Sequence, residues 1–121
     1  MPHAEIKYSA DLSLDTDLMF DLIERVLNEH DSSSGVCKGR AYPASSFKHT
    51  HVLFEISILR KPHRDEAFVQ GLVEDLERQL KGVIGQSCYF SLAVDFSPVG
   101  YVTNECLADE VGLLDYKKDI I

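Results

Sequence analysis

The chain predicts an α+β fold of two layers, in which duplicated β-α-β units form a four-stranded mixed sheet with two helices on one face. Several stretches alternate apolar and polar residues with a period of two, and two others repeat apolar residues at helical spacing. Their order along the chain is strand, helix, strand, and then the same again. A helix crossing over between two strands makes those strands parallel and connects them with a right-handed turn.

The first strand begins at the N-terminus itself. From Pro2 to Ser9, Ala4, Ile6 and Tyr8 alternate with His3, Glu5 and Lys7. Asp11 to Asp15 offers capping residues for a helix in which Leu18, Leu22, Ile23, Val26 and Leu27 share one face up to about Glu29. Asp31 to Gly35 ends that helix in a loop. Val36 to Tyr42 reads as the second strand, with Gly39 marking a bulge or a close backbone approach and Pro43 as its stop.

Thr50 to Leu59 is rich in β-branched and aromatic residues and reads as a central strand. After a break at Lys61, Pro62 and His63, a stripe from Phe68 to Val83 predicts a second helix that stops near Gly82 or Gly85. Ser87 to Phe96 alternates again, with Phe90, Leu92, Val94 and Phe96 on one side, and Pro98 and Gly100 close it. The organisation is one domain over residues 1–121, with units at about 2–43 and 50–97. The tail over 98–121 carries Leu113, Leu114, Ile120 and Ile121, which are expected to be covered at subunit contacts.

Of the 121 residues, 45% are hydrophobic and 26% charged, the balance of a globular chain with a core of its own. A formal net charge of -8 argues against nucleic acid and anionic membranes as partners, since polyanions are held by positive surface. Nothing approaches the roughly 20 apolar residues of a membrane span, and the first twelve residues lack the apolar run of a secretory signal. Cys37, Cys88 and Cys106 are odd in number and have no paired spacing, which points to reduced thiols in the cytoplasm. His49 and His51 lie two apart on a strand, as two metal ligands can, but no third ligand accompanies them. No metal and no cofactor is expected.

The opening Met1-Pro2 carries chemistry under one condition. Methionine ahead of proline favours removal of the methionine, leaving a secondary amine at the start of a strand; with Met1 attached, the Pro2 nitrogen is an amide without basicity. An α-amino group titrates near roughly 8, so at neutral pH such an amine is mostly protonated unless burial or neighbouring cations depress it. Lys38 and Arg40 in the second strand and Arg64 ahead of the second helix are the candidate cations. They would serve twice, by recruiting an anionic substrate and by keeping the amine neutral. Arg60 and Lys61 read as solvated strand-end residues, and Cys37 as a small buried side chain. The His3 side chain is expected to point away from the face used by Pro2 and Ala4.

Met1-Pro2-His3, the Ser9-Ala10-Asp11-Leu12 that follows, Gly35-Val36-Cys37-Lys38-Gly39-Arg40-Ala41-Tyr42, the His49–Leu59 strand and Arg64-Asp65-Glu66 occur in an order that resembles the tautomerase superfamily. Within it, the chain resembles specifically the 5-carboxymethyl-2-hydroxymuconate isomerase family, which has the macrophage migration inhibitory factor-like fold. The resemblance spans essentially the whole chain. It implies a homotrimer, Pro2 as general base, and a small-molecule dicarboxylate substrate from aromatic catabolism, held by Arg40, Arg64 and Lys38. At Lys38 the family pattern tends to carry arginine, whose planar two-pronged grip on a carboxylate lysine does not reproduce. The alternative reading is a binding or regulatory protein that keeps this fold without catalysis. A monomeric or dimeric ferredoxin-like small-molecule binder shares the element order.

Overall fold

The computed structural model describes residues 1–108, so the tail residues Leu113, Leu114, Ile120 and Ile121 lie outside the described part. Its elements are β1 (His3–Ser9), α1 (Thr16–His30), β2 (Lys38–Ala44), β3 (His51–Ile58), α2 (Glu66–Ile84) and β4 (Tyr89–Phe96). The sheet order is β2-β1-β3-β4. Within each unit the strands are parallel, and β1 meets β3 antiparallel with Ile6 opposite Phe54, which makes the sheet mixed.

Period-two burial decides which face of the sheet carries the helices. Along β3, Val52, Phe54, Ile56 and Ile58 are buried and the residues between them are not, while β1 contributes Ala4 and Ile6. Onto these pack Met19, Ile23, Val26 and Leu27 of α1 and Leu72, Leu76 and Leu80 of α2. The opposite face bears His3, Glu5, Lys7, Glu55 and Asp95 and, among the described residues, carries no helix, which leaves it the open face. Asp15 caps α1 by accepting from the Leu18 N–H, and Asp65 caps α2 by accepting from the Phe68 N–H at 2.8 Å. Gly85 ends α2 in the left-handed region at φ 65°, which decides between the two glycines offered by the sequence.

Two local expectations change. Pro43 does not stop β2, which runs to Ala44 with Pro43 opposite Tyr8. β2 is an edge strand, so its outward side needs no N–H donor and tolerates a proline there. Gly39 is a site of close approach: a Cβ at that position would collide with the Phe20 ring of α1. Gly39→Ala is therefore expected to destabilise the fold by roughly 1–3 kcal/mol through overpacking, read as a lower urea midpoint with an unchanged slope. Gly71→Ala, with open space at its Cβ, is the control and should not destabilise.

Candidate active site

The sheet brings its cations to the end where β1 begins. Pro2 is buried on the helix side, and its carbonyl accepts the Lys38 backbone N–H at 3.0 Å, the first rung of the β1–β2 ladder. Register then sets Lys38 beside His3 and Arg40 beside Glu5, all on the open face, because paired residues in a parallel ladder share a side. His3 thus points away from the Pro2 face, as its place in the alternation requires.

The terminal amine on Met1 is held below its ordinary 8.0 by burial first, and then by the charges of Lys38, Lys61 and Arg64. Lys61, read from sequence as strand-end solvation, therefore belongs to the positive surroundings of the N-terminus. Its ammonium donates to the Ser33 hydroxyl at 2.7 Å. Nothing in its immediate sequence signals this, because Ser33 comes from the loop after α1.

Arg64 lies ahead of the second helix, as its sequence context suggested. It precedes the Asp65 cap, is 5% exposed, and spends its guanidinium on the fold. Nε donates to Asp31 Oδ2 at 3.0 Å, Nη1 to the Leu59 carbonyl at 2.9 Å, and Nη2 to the Ser34 hydroxyl at 3.1 Å. With its guanidinium engaged by Asp31, Leu59 and Ser34, Arg64 stands near the N-terminus as a buried charge. Arg40 is half-exposed and paired with Glu5 at 3.0 Å, with a second bond from Nε to the Tyr42 hydroxyl. The Arg40 bond holds the Glu5 carboxyl below its usual range.

A segment after β4 crosses to this end of β1. The Tyr101 hydroxyl donates to the Met1 carbonyl at 3.0 Å and lies 3.1 Å from His3 Nε2, while the Lys38 ammonium donates to the Thr103 hydroxyl at 3.1 Å. Sequence reasoning missed both residues, since contacts across 98 and 65 positions leave no local period. A cavity of about 360 Å³ opens beside this place on the open face. Its lining sets the carboxylates of Glu5, Glu55 and Asp95 against Arg40, beside the His3 ring.

Cys37 is half-buried, and burial, with Glu24 nearby, pushes its thiol up to about 11, so it is not a nucleophile at neutral pH. His51 gives its Nδ1 to the His49 carbonyl at 2.8 Å, and among the described residues no group of three or more His, Cys, Asp or Glu could hold a metal ion. Nor is any described helix long and apolar enough to cross a membrane.

No protein-family model matches the sequence, and no curated protein matches it. Solved structures do. A 5-carboxymethyl-2-hydroxymuconate delta-isomerase aligns at TM-score 0.63 and 17% identity, covering 94% of this chain and 93% of the other. A macrophage migration inhibitory factor-like protein from Entamoeba histolytica aligns at TM-score 0.61 and 15% identity, covering 86% and 95%. A 5-carboxymethyl-2-hydroxymuconate isomerase from Deinococcus radiodurans R1 aligns at 0.55 and 12%, covering 91% and 93%. The resemblance drawn from the sequence holds at the level of the fold: this chain has the tautomerase fold of the 5-carboxymethyl-2-hydroxymuconate isomerases and the macrophage migration inhibitory factor-like proteins.

Proposed function

We propose that this protein is a cytoplasmic, cofactor-free isomerase that shifts a proton in an unsaturated 2-hydroxy dicarboxylate such as 5-carboxymethyl-2-hydroxymuconate, with Pro2 as general base in a chain that has lost Met1. The observation that carries the reading is the surroundings of the N-terminus at the start of β1, where burial and then Lys38, Lys61 and Arg64 depress the Met1 amine and would act in the same direction on a Pro2 amine in its place. A neutral amine is what a base needs at working pH, and a positive field is what a dianion needs on arrival.

The proton traffic balances within the site. The Pro2 lone pair takes the enol hydroxyl proton, the oxygen's electrons form the C2 carbonyl, and the pyrrolidinium returns the proton to the far carbon of the conjugated system. No electron leaves and no co-reactant enters. Lys38 takes one carboxylate, exchanging the Thr103 hydroxyl for it, and Arg40 takes the other after release from Glu5. Arg64 contributes its fixed charge. A homotrimer is part of the reading, supported by β2 and β4 as the outer strands of the described sheet and by the exposed Val99 and Val102.

The test pairs an intact mass with steady-state rates on 2-hydroxymuconate-type enol diacids. Lys38→Met is expected to raise KM about 10- to 100-fold, with a smaller change in kcat, since a hydrogen bond to a charged group is worth about 1.5–3 kcal/mol. A chain that begins at Pro2, is folded and turns over no enol diacid sinks the enzymatic reading and leaves a binding protein of the same fold.

A further inference from the structure

His3, Tyr101 and the N-terminus form a directed chain of hydrogen bonds. The Tyr101 proton goes to the Met1 carbonyl at 3.0 Å, so the 3.1 Å contact to His3 is made by an Nε2–H that donates to the tyrosine oxygen. His3 Nδ1 is then the bare nitrogen, which fits its being buried with no partner among the described residues: a bare acceptor there leaves no N–H stranded. Burial first, then Lys38 and Arg40, lowers the His3 pKa and keeps this ring neutral. The two rings meet edge to face at 6.1 Å, which fixes the tyrosine's orientation as well as its proton.

The acceptor at the end of the chain is the carbonyl that leaves with Met1. Its carbon is bonded to the Pro2 nitrogen, so cleavage removes the tyrosine's acceptor and exposes a new lone pair next to it. We propose that Tyr101, held by His3, is a further positioning residue of this site, and that after Met1 is lost its hydroxyl donates to the Pro2 nitrogen and holds that amine neutral. Pyrrolidinium cannot accept that bond. For it to form, the Tyr101 proton must turn away and meet the His3 N–H already aimed at the same oxygen, which disfavours the charged amine. The proposal rests on the reading of Pro2 as a free amine but does not require that the protein turn over any particular substrate.

The test reads the amine itself. Intact, untagged protein is reacted with cyanate across a pH series, and carbamylation of the N-terminal peptide is followed by mass, so the midpoint reports the Pro2 amine without a substrate. Tyr101→Phe keeps the ring and is expected to move the midpoint up by about one pH unit. His3→Phe removes the donor to Tyr101 and is expected to shift it in the same direction by less. A structural loosening would also raise the midpoint, by relieving burial of the amine, but would show as a lowered urea midpoint in Tyr101→Phe, which overturns the proposal. Equal midpoints in wild type and Tyr101→Phe overturn the proposal, as does an intact mass showing Met1 retained. A shifted midpoint in a protein without isomerase activity supports the proposal and overturns the functional reading, which separates the two failures.

Discussion

A chain that keeps a residue in front of Pro2 is expected to lose about 10²- to 10⁴-fold in turnover of enol diacids while folding as well as the processed chain, because general base catalysis supplies about that factor. The extension converts the nitrogen to an amide but leaves the buried pyrrolidine ring in place, so chemistry is separated from packing. Pro2→Ala retains a primary amine and is expected to fall at the lower end of that range, losing the fixed orientation of the ring nitrogen. The pH profile carries the sign of the mechanism. The working base is the neutral amine, so kcat/KM should rise with pH and be lost as pH falls through the amine's pKa. That pKa is expected below the ordinary value of a free prolyl amine, since burial and then Lys38, Lys61 and Arg64 disfavour the charged form of the amine at this end of β1. Extended and processed chains with the same kcat would refute Pro2 as the base.

Much of the fold was legible because local and global demands coincide. Val52, Phe54, Ile56 and Ile58 alternate in sequence and are buried in alternation, and the apolar stripe of α2 runs to the glycine whose φ of 65° ends it. Pro43 was misread because its tolerance depends on β2 being the last strand of the sheet, and strand order is a property of the whole sheet. Gly39 was legible only as an anomaly; the ring that requires it, Phe20, belongs to the preceding helix.

The site was legible in its residue types and much less in its pairings. Lys38 and Arg40 occupy the open face because strand period dictates it, but Glu5 as the partner of Arg40 follows from the register between β1 and β2. Tyr101 and Thr103 were invisible in a tail without periodicity. Arg64 is the clearest case: its place ahead of the helix cap marks it as a candidate cation, and only the loop after α1, which brings Asp31 and Ser34 to it, makes it a buried one.

That burial makes Asp31 the residue whose loss should most damage stability. Asp31 is the C-cap of α1, where a carboxylate opposes the helix dipole, and it is tolerated because its neighbours supply donors. The Ser33 hydroxyl donates to Oδ1 at 2.6 Å; His63 Nε2 lies 2.6 Å and Arg64 Nε 3.0 Å from Oδ2. Together they hold the carboxyl far below its usual range, with the Ser33 bond as the largest cause and the His63 bond next. Asp31→Ala would leave a guanidinium whose side chain is 2% exposed without its counter-ion. Breaking a buried pair from one side costs about 3–5 kcal/mol, a large part of the roughly 5–15 kcal/mol that holds an ordinary domain together. Asp31→Asn, which keeps an acceptor for Arg64, should lose less. Because the folded carboxyl titrates below the unfolded one, its contribution is full above the ordinary carboxylate pKa of about 4 and fades as pH falls toward the folded value. The gap in stability between wild type and Asp31→Ala should therefore be widest near neutral pH and narrow progressively below about pH 5, measured by urea unfolding at fixed ionic strength. A gap that is small at pH 7 or independent of pH would show that Arg64 holds its place through Leu59 and Ser34 alone, and that the positive field at the N-terminus does not depend on this ion pair.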